Sequence, residues 1–137
     1  MIDLEQQELR LRSGERARYE YDRNSDMLEI FFRDAGATCA VELTESIVLR
    51  FDWETNEPLS LSLLSVSKLL KPTEYGDPFF QLLADEWPDE ARGKIWDMLR
   101  KPPLNEFLKL SSYVPAHTYR AIPMTSIQQA PALMRAA

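Results

Sequence analysis

The sequence predicts an α+β domain: an antiparallel β-meander of four to five strands, two or more helices packed on one face, and an extended C-terminal arm. Three observations predict it. Apolar and polar residues alternate with period two from about residue 16 to 66, the spacing turns helical over about 67–101, and prolines then break the chain repeatedly between about 104 and 123. Residues 1–125 are expected to form one domain and 126–137 a flexible tail.

The clearest stretch is Tyr19 to Phe32. Ala17, Tyr19 and Tyr21 alternate with charged neighbours, and Asp22-Arg-Asn-Ser-Asp26 is rich in short polar side chains that bond back to local backbone, which marks a hairpin turn. Leu28, Ile30 and Phe32 then share one strand face, and Asp34-Ala-Gly36 ends the run. Before this hairpin, Leu9 and Leu11 suit a short leading strand, while the Gln and Glu content of residues 2–10 suits a frayed helix nearly as well. After it, Cys39, Val41 and Leu43 alternate with Thr38, Ala40 and Glu42, and Ile47, Leu49 and Phe51 alternate with Val48, Arg50 and Asp52. Trp53-Glu-Thr-Asn-Glu-Pro58 supplies a turn into Leu59, Leu61 and Leu63.

An apolar sheet face must be covered, and the predicted cover is helical. Ser67 to Lys71 makes a brief turn of helix stopped by Pro72. Asp77-Pro78 reads as an N-cap with proline in the first turn, leading a helix through Phe79, Phe80, Leu82, Leu83 and Trp87. A second helix starts at Pro88-Asp-Glu90 and carries Ala91, Ile95, Met98 and Leu99 as a stripe before Pro102-Pro103. The arm that follows has Tyr113, Tyr119 and Ile122 to bury, against its own body or against a second subunit.

Composition narrows the function classes. The chain has 137 residues, 45% of them hydrophobic and 28% charged, which suits one folded core. A net charge of −6 argues against binding nucleic acid by phosphate neutralisation. Residues 101–137 are nevertheless net +3 against −9 for the first hundred, an asymmetry that would let the tail of one subunit lie on the acidic body of another. No apolar run approaches eighteen residues and the N-terminal residues lack the pattern of a signal peptide, so no membrane contact and a cytoplasmic location are expected. Cys39 is the single cysteine, in keeping with a reducing compartment.

Tyr21-Asp22, Asp26-x-Leu28-x-Ile30, Glu42, Ile47-Val-Leu-x-Phe-Asp52 and Leu59-x-Leu-x-Leu63 running into Ser67-Lys-Leu69 follow one another at fixed spacing. Over about residues 18–70 this pattern resembles a family of small bacterial domains of unknown function. The resemblance implies a compact β-meander ending in a short helix, and some members are suspected partners of small toxin-like proteins. The chain departs from the family where Trp53-Glu-Thr-Asn-Glu-Pro58 stands in place of a glycine-containing turn, and the residues after 70 lie outside the resemblance.

Three kinds of chemistry are open to these residues. If the hairpin turns met, Asp22, Asp26 and Asp52 could hold a hard cation such as calcium or magnesium, although turn-forming is the commoner use of aspartates so placed. His117, the one histidine, could pair with Cys39 as a nucleophile, but Cys39 lies on a core-type strand face where thiols are inert. Four glycines assemble neither a phosphate loop nor a dinucleotide fingerprint, so no cofactor is expected. Aromatic anchors offer the third: Trp53 sits in an otherwise polar turn, and Trp53, Tyr113, Tyr119 and Ile122 are the expected interface residues. The resulting expectation is a non-enzymatic protein-binding or self-assembling module, a homodimer. The alternatives are an antitoxin-like neutraliser of a small basic protein and a carboxylate-dependent metal enzyme.

Overall fold

The computed structural model describes residues 4–34, 39–74, 76, 78–116 and 120–128. Its strands are β1 (Leu4–Arg10), β2 (Arg16–Asp22), β3 (Met27–Phe31), β4 (Cys39–Thr44), β5 (Ile47–Asp52), β6 (Glu57–Leu64), β7 (Phe80–Gln81), β8 (Leu108–Tyr113) and β9 (Ile122–Ile127). The α-helices are α1 (Val66–Leu69) and α2 (Asp89–Leu99), and single 3₁₀ turns span Ala84–Glu86 and Leu104–Glu106.

Six strands form one sheet in the order β1-β2-β3-β6-β5-β4, and three form a second in the order β7-β9-β8. Every pairing is antiparallel. The larger sheet is two three-stranded meanders joined along β3 and β6, where Leu28 faces Leu63 and Ile30 faces Leu61. Its inner face carries Tyr19, Tyr21, Leu28, Ile30, Ile47, Leu49, Phe51, Leu61 and Leu63, all buried. On the outer face the central strand presents Ser60 and Ser62, small residues flanked by Phe31 and Arg50 and by Glu29 and Val48.

The expectation of an α+β domain with two or more helices on the sheet is corrected here. Among the described residues only α2 exceeds one turn, and the cover is completed by the smaller sheet and the two 3₁₀ turns. Helix α2 is the element that matches the expected stripe, burying Ala91, Ile95, Met98 and Leu99. The helix expected from Asp77-Pro78 through Trp87 does not form. Asp77 lies outside the described residues, and Phe80–Gln81 is instead a strand on β9. The cause is competition for backbone donors: Leu82 N–H bonds the Pro123 carbonyl at 3.0 Å and Leu83 N–H bonds the Leu43 carbonyl at 2.8 Å, so this segment stitches one sheet to the other. The run from 104 to 123 is likewise not a free arm. Leu104, Phe107 and Leu108 are buried in the common core and β8 pairs with β9. Ser126 and Ile127, expected in the flexible tail, are buried residues of β9.

Candidate interaction surface

The outer face of the smaller sheet brings two of the expected interface residues together. Tyr113 ends β8 and Ile122 begins β9, and they face one another across the pair. Their side chains share a face with Met124 and Ser111, because residues two apart on a strand point the same way. Tyr113 is 57% exposed and the following Val114 55%, which makes this corner the apolar end of a strand whose outer edge no described residue covers. Tyr119 lies outside the described residues, as does His117.

Trp53 is placed differently. It is partly buried against the core, its ring 6.2 Å from that of Phe51, with the Lys94 ammonium 4.1 Å above it. Lys94 also donates to the Trp53 carbonyl at 2.7 Å. The indole therefore closes the end of the core between β5 and α2. Lys94→Met is expected to cost about 0.5–1.5 kcal/mol by removing a cation–π contact and a charge-assisted hydrogen bond. A urea titration checks this, and an unchanged midpoint would show that Lys94 contributes nothing to the closure.

The three candidate metal aspartates do not converge. Asp22 and Asp26 flank the β2–β3 turn, at the end of the sheet where Met27 faces Leu64, whereas Asp52 opens the β5–β6 turn at the other end, about 20 Å of strand away. Each does turn work: Asp22 accepts from Asn24 N–H at 3.0 Å, and Asp52 from Glu54 N–H at 2.9 Å. Asp26 bonds Ser67 Oγ at 2.5 Å and accepts from Tyr21 Oη at 3.0 Å and Ser67 N–H at 3.2 Å. Burial alone would raise its pKa, but the bonds from Ser67 and Tyr21 and the charge of Lys68 outweigh it and hold the carboxyl below its ordinary value. Tyr21 moves the other way, raised by its burial and by its bond to Asp26. No group of three or more His, Cys, Asp or Glu side chains able to hold a metal is found among the described residues.

A groove of about 480 Å³ runs beside α1, lined by Thr44, Glu45, Ser46, Leu69, Phe79 and Leu83 among others. Glu45 is the one charged group in that lining, so the groove does not pair an acid with a base. No family model matches the chain, and neither the curated proteins nor the solved structures offer a match. The site stands on its own geometry.

That geometry is sharpest at the sheet edges, where unpaired N–H and C=O groups invite another strand. β1 is guarded by Glu5, Glu8 and Arg10. β4 is covered, its Glu42 carbonyl accepting the Trp87 indole N–H at 2.8 Å and its Leu43 carbonyl the Leu83 N–H. β7 is two residues long. β8 is six residues long with Lys109 as its one charge, and no described residue bonds its outer edge. Gln128 N–H donates to the Phe107 carbonyl, which sets the phase of the ladder. Lys109, Ser111 and Tyr113 thus bond β9, and Leu110 and Ser112 turn their N–H and C=O groups outward.

The sequence singles out Tyr113 and Ile122 but not Leu110, Ser112 and Met124. The available signal was the alternation in Leu108-Lys-Leu-Ser111, obscured by the prolines around it. No helix among the described residues is long and apolar enough to cross a membrane.

Proposed function

We propose that this protein is a non-enzymatic protein-binding or self-assembling module that accepts an extended strand along β8. The observation that carries the reading is that β8 alone, among the described edges, is long and has neither a cover nor flanking charges of the kind found on β1. Strand addition of this type takes its affinity from main-chain hydrogen bonds and its specificity from side chains on alternate positions. Leu110 and Ser112 supply the main-chain groups, and Tyr113 with Ile122 supplies an adjacent apolar surface. A reducing cytoplasmic setting suits a chain with one cysteine.

The test uses a labelled heptapeptide of alternating threonine and valine flanked by lysines, titrated with nanomolar to micromolar protein and followed by fluorescence anisotropy. Saturable binding is expected, weakened about tenfold by Tyr113→Ser, which removes an anchor contributing about 1–2 kcal/mol. A protein that binds no strand peptide, and whose mass is that of one chain at every concentration, would refute the reading.

A further inference from the structure

Resting on the strand-acceptor reading, we infer that the strand β8 accepts is β8 of a second copy, paired antiparallel about a two-fold axis at Ser111. The inference comes from the self-complementarity of the strand. Lys109 and Tyr113 lie two residues on either side of Ser111, and all three share the outer face. An antiparallel pairing centred on Ser111 therefore sets each lysine beside the other copy's tyrosine, an ammonium against an exposed aromatic ring. Ser111 meets its own symmetry mate, and no two like charges face one another.

The backbone phase agrees with this register. In a pairing centred on Ser111, Leu110 of one copy faces Ser112 of the other, and these are the residues whose N–H and C=O groups point away from β9. Each such facing pair exchanges two hydrogen bonds, and the strand is used twice, once from each side of the axis. The three-stranded sheets would join into one of six strands, β7-β9-β8 followed by β8-β9-β7 of the second copy. Tyr113, 57% exposed in the single chain, would then lie between Ile122 and the second copy's lysine. The two Lys109 ammonium groups, four residues apart along the ladder, are separated by about 13 Å, further than charges act strongly at physiological salt.

The experiment is disulfide trapping combined with mass measurement on the full chain. In a Cys39→Ala background, Ser111→Cys places two thiols at a directly facing, closely spaced pair. Lys109→Cys places them about 13 Å apart. Mild oxidation is expected to convert most of the Ser111→Cys protein to a covalent dimer and to leave Lys109→Cys at least tenfold less cross-linked. Light scattering should give the mass of two chains for the wild type. Ser112→Pro should give the mass of one chain with an unchanged circular dichroism spectrum, because proline is tolerated where an edge-strand N–H points outward.

A wild type that is one chain at every concentration overturns the inference, as does a dimer that Ser112→Pro leaves intact and Ser111→Cys fails to trap. If that monomer still binds the threonine–valine peptide, the acceptor reading stands and only the identity of its partner falls. If the monomer binds no strand peptide, both fall together.

Discussion

Trp87→Ala is expected to remove about 3–5 kcal/mol of stability, the range for emptying a large aromatic site in a core. Trp87 is 2% exposed and meets Trp96 edge-on with ring centroids 5.3 Å apart. Its indole N–H also closes the Glu42 carbonyl at 2.8 Å, and its own carbonyl receives Arg92 at 2.9 Å. One side chain thus fills the core, covers an edge of the larger sheet and marks where the 3₁₀ turn hands over to α2. Trp87→Phe separates these roles: it keeps most of the packing and leaves the Glu42 carbonyl without its donor, a loss of about 1–3 kcal/mol. Urea denaturation of the three proteins measures both effects. The uncovered β4 edge should also make Trp87→Ala more prone to aggregate than its stability alone predicts. An alanine variant within 1 kcal/mol of wild type would mean that the indole is not the keystone described.

The second large effect is expected at Asp26. Helix α1 has no cap from its own leading residue, since Ser65 makes no capping bond. The acceptor comes from 41 residues away: the Asp26 carboxylate takes the Ser67 N–H and hydroxyl, and the Asp26 carbonyl takes the Val66 N–H. Asp26 itself has a positive φ of 53°, a conformation Asp and Asn tolerate better than Ala. Asp26→Ala should therefore cost about 1–3 kcal/mol, combining a lost cap, an orphaned Tyr21 hydroxyl and backbone strain. Asp26→Asn, which keeps the conformation and one acceptor, should cost less.

The pH dependence has a definite sign. A carboxyl held below its unfolded value stabilises the fold fully above that value, near pH 4, and loses the contribution as pH falls through the lower folded value. The stability gap between wild type and Asp26→Asn should thus be constant from neutral pH to about 5 and narrow below 4. A gap that widens on acidification would contradict the hydrogen-bonded carboxylate.

Much of the larger sheet was legible because its burial is one-sided. Tyr19, Leu28, Ile30, Leu49 and Leu61 alternate with polar neighbours, and a period of two is direct evidence of a strand with one face in the core. The stripe of Ala91, Ile95, Met98 and Leu99 was legible for the same reason at helical spacing. Phe79 to Leu83 misled because Phe79, Phe80, Leu82 and Leu83 fall at i, i+1, i+3 and i+4, a spacing that one helix face also produces. Their fate was decided by Leu43 and Pro123, whose carbonyls are distant in sequence and capture two successive N–H groups. The candidate surface was half legible. Tyr113 and Ile122 stood out as aromatic and apolar residues in a polar, proline-broken stretch, but the phase that turns Leu110 and Ser112 outward depends on pairing with β9. Trp53 reads from sequence as an interface anchor because its turn is otherwise polar, and Lys94, on an element 41 residues on, instead holds its ring at the end of the core.

The seam between β3 and β6 has a kinetic meaning. The β2–β3 and β5–β6 turns each join neighbours, so each hairpin closes a short loop and can form within microseconds. Joining Ile30 to Leu61 or Leu28 to Leu63 closes a loop of more than thirty residues, whose entropy is lost before any cross-seam contact rewards it. Closing this seam is therefore expected to be slower than forming either hairpin, so substitutions at Ile30 or Leu61 should slow folding more than substitutions in the two turns.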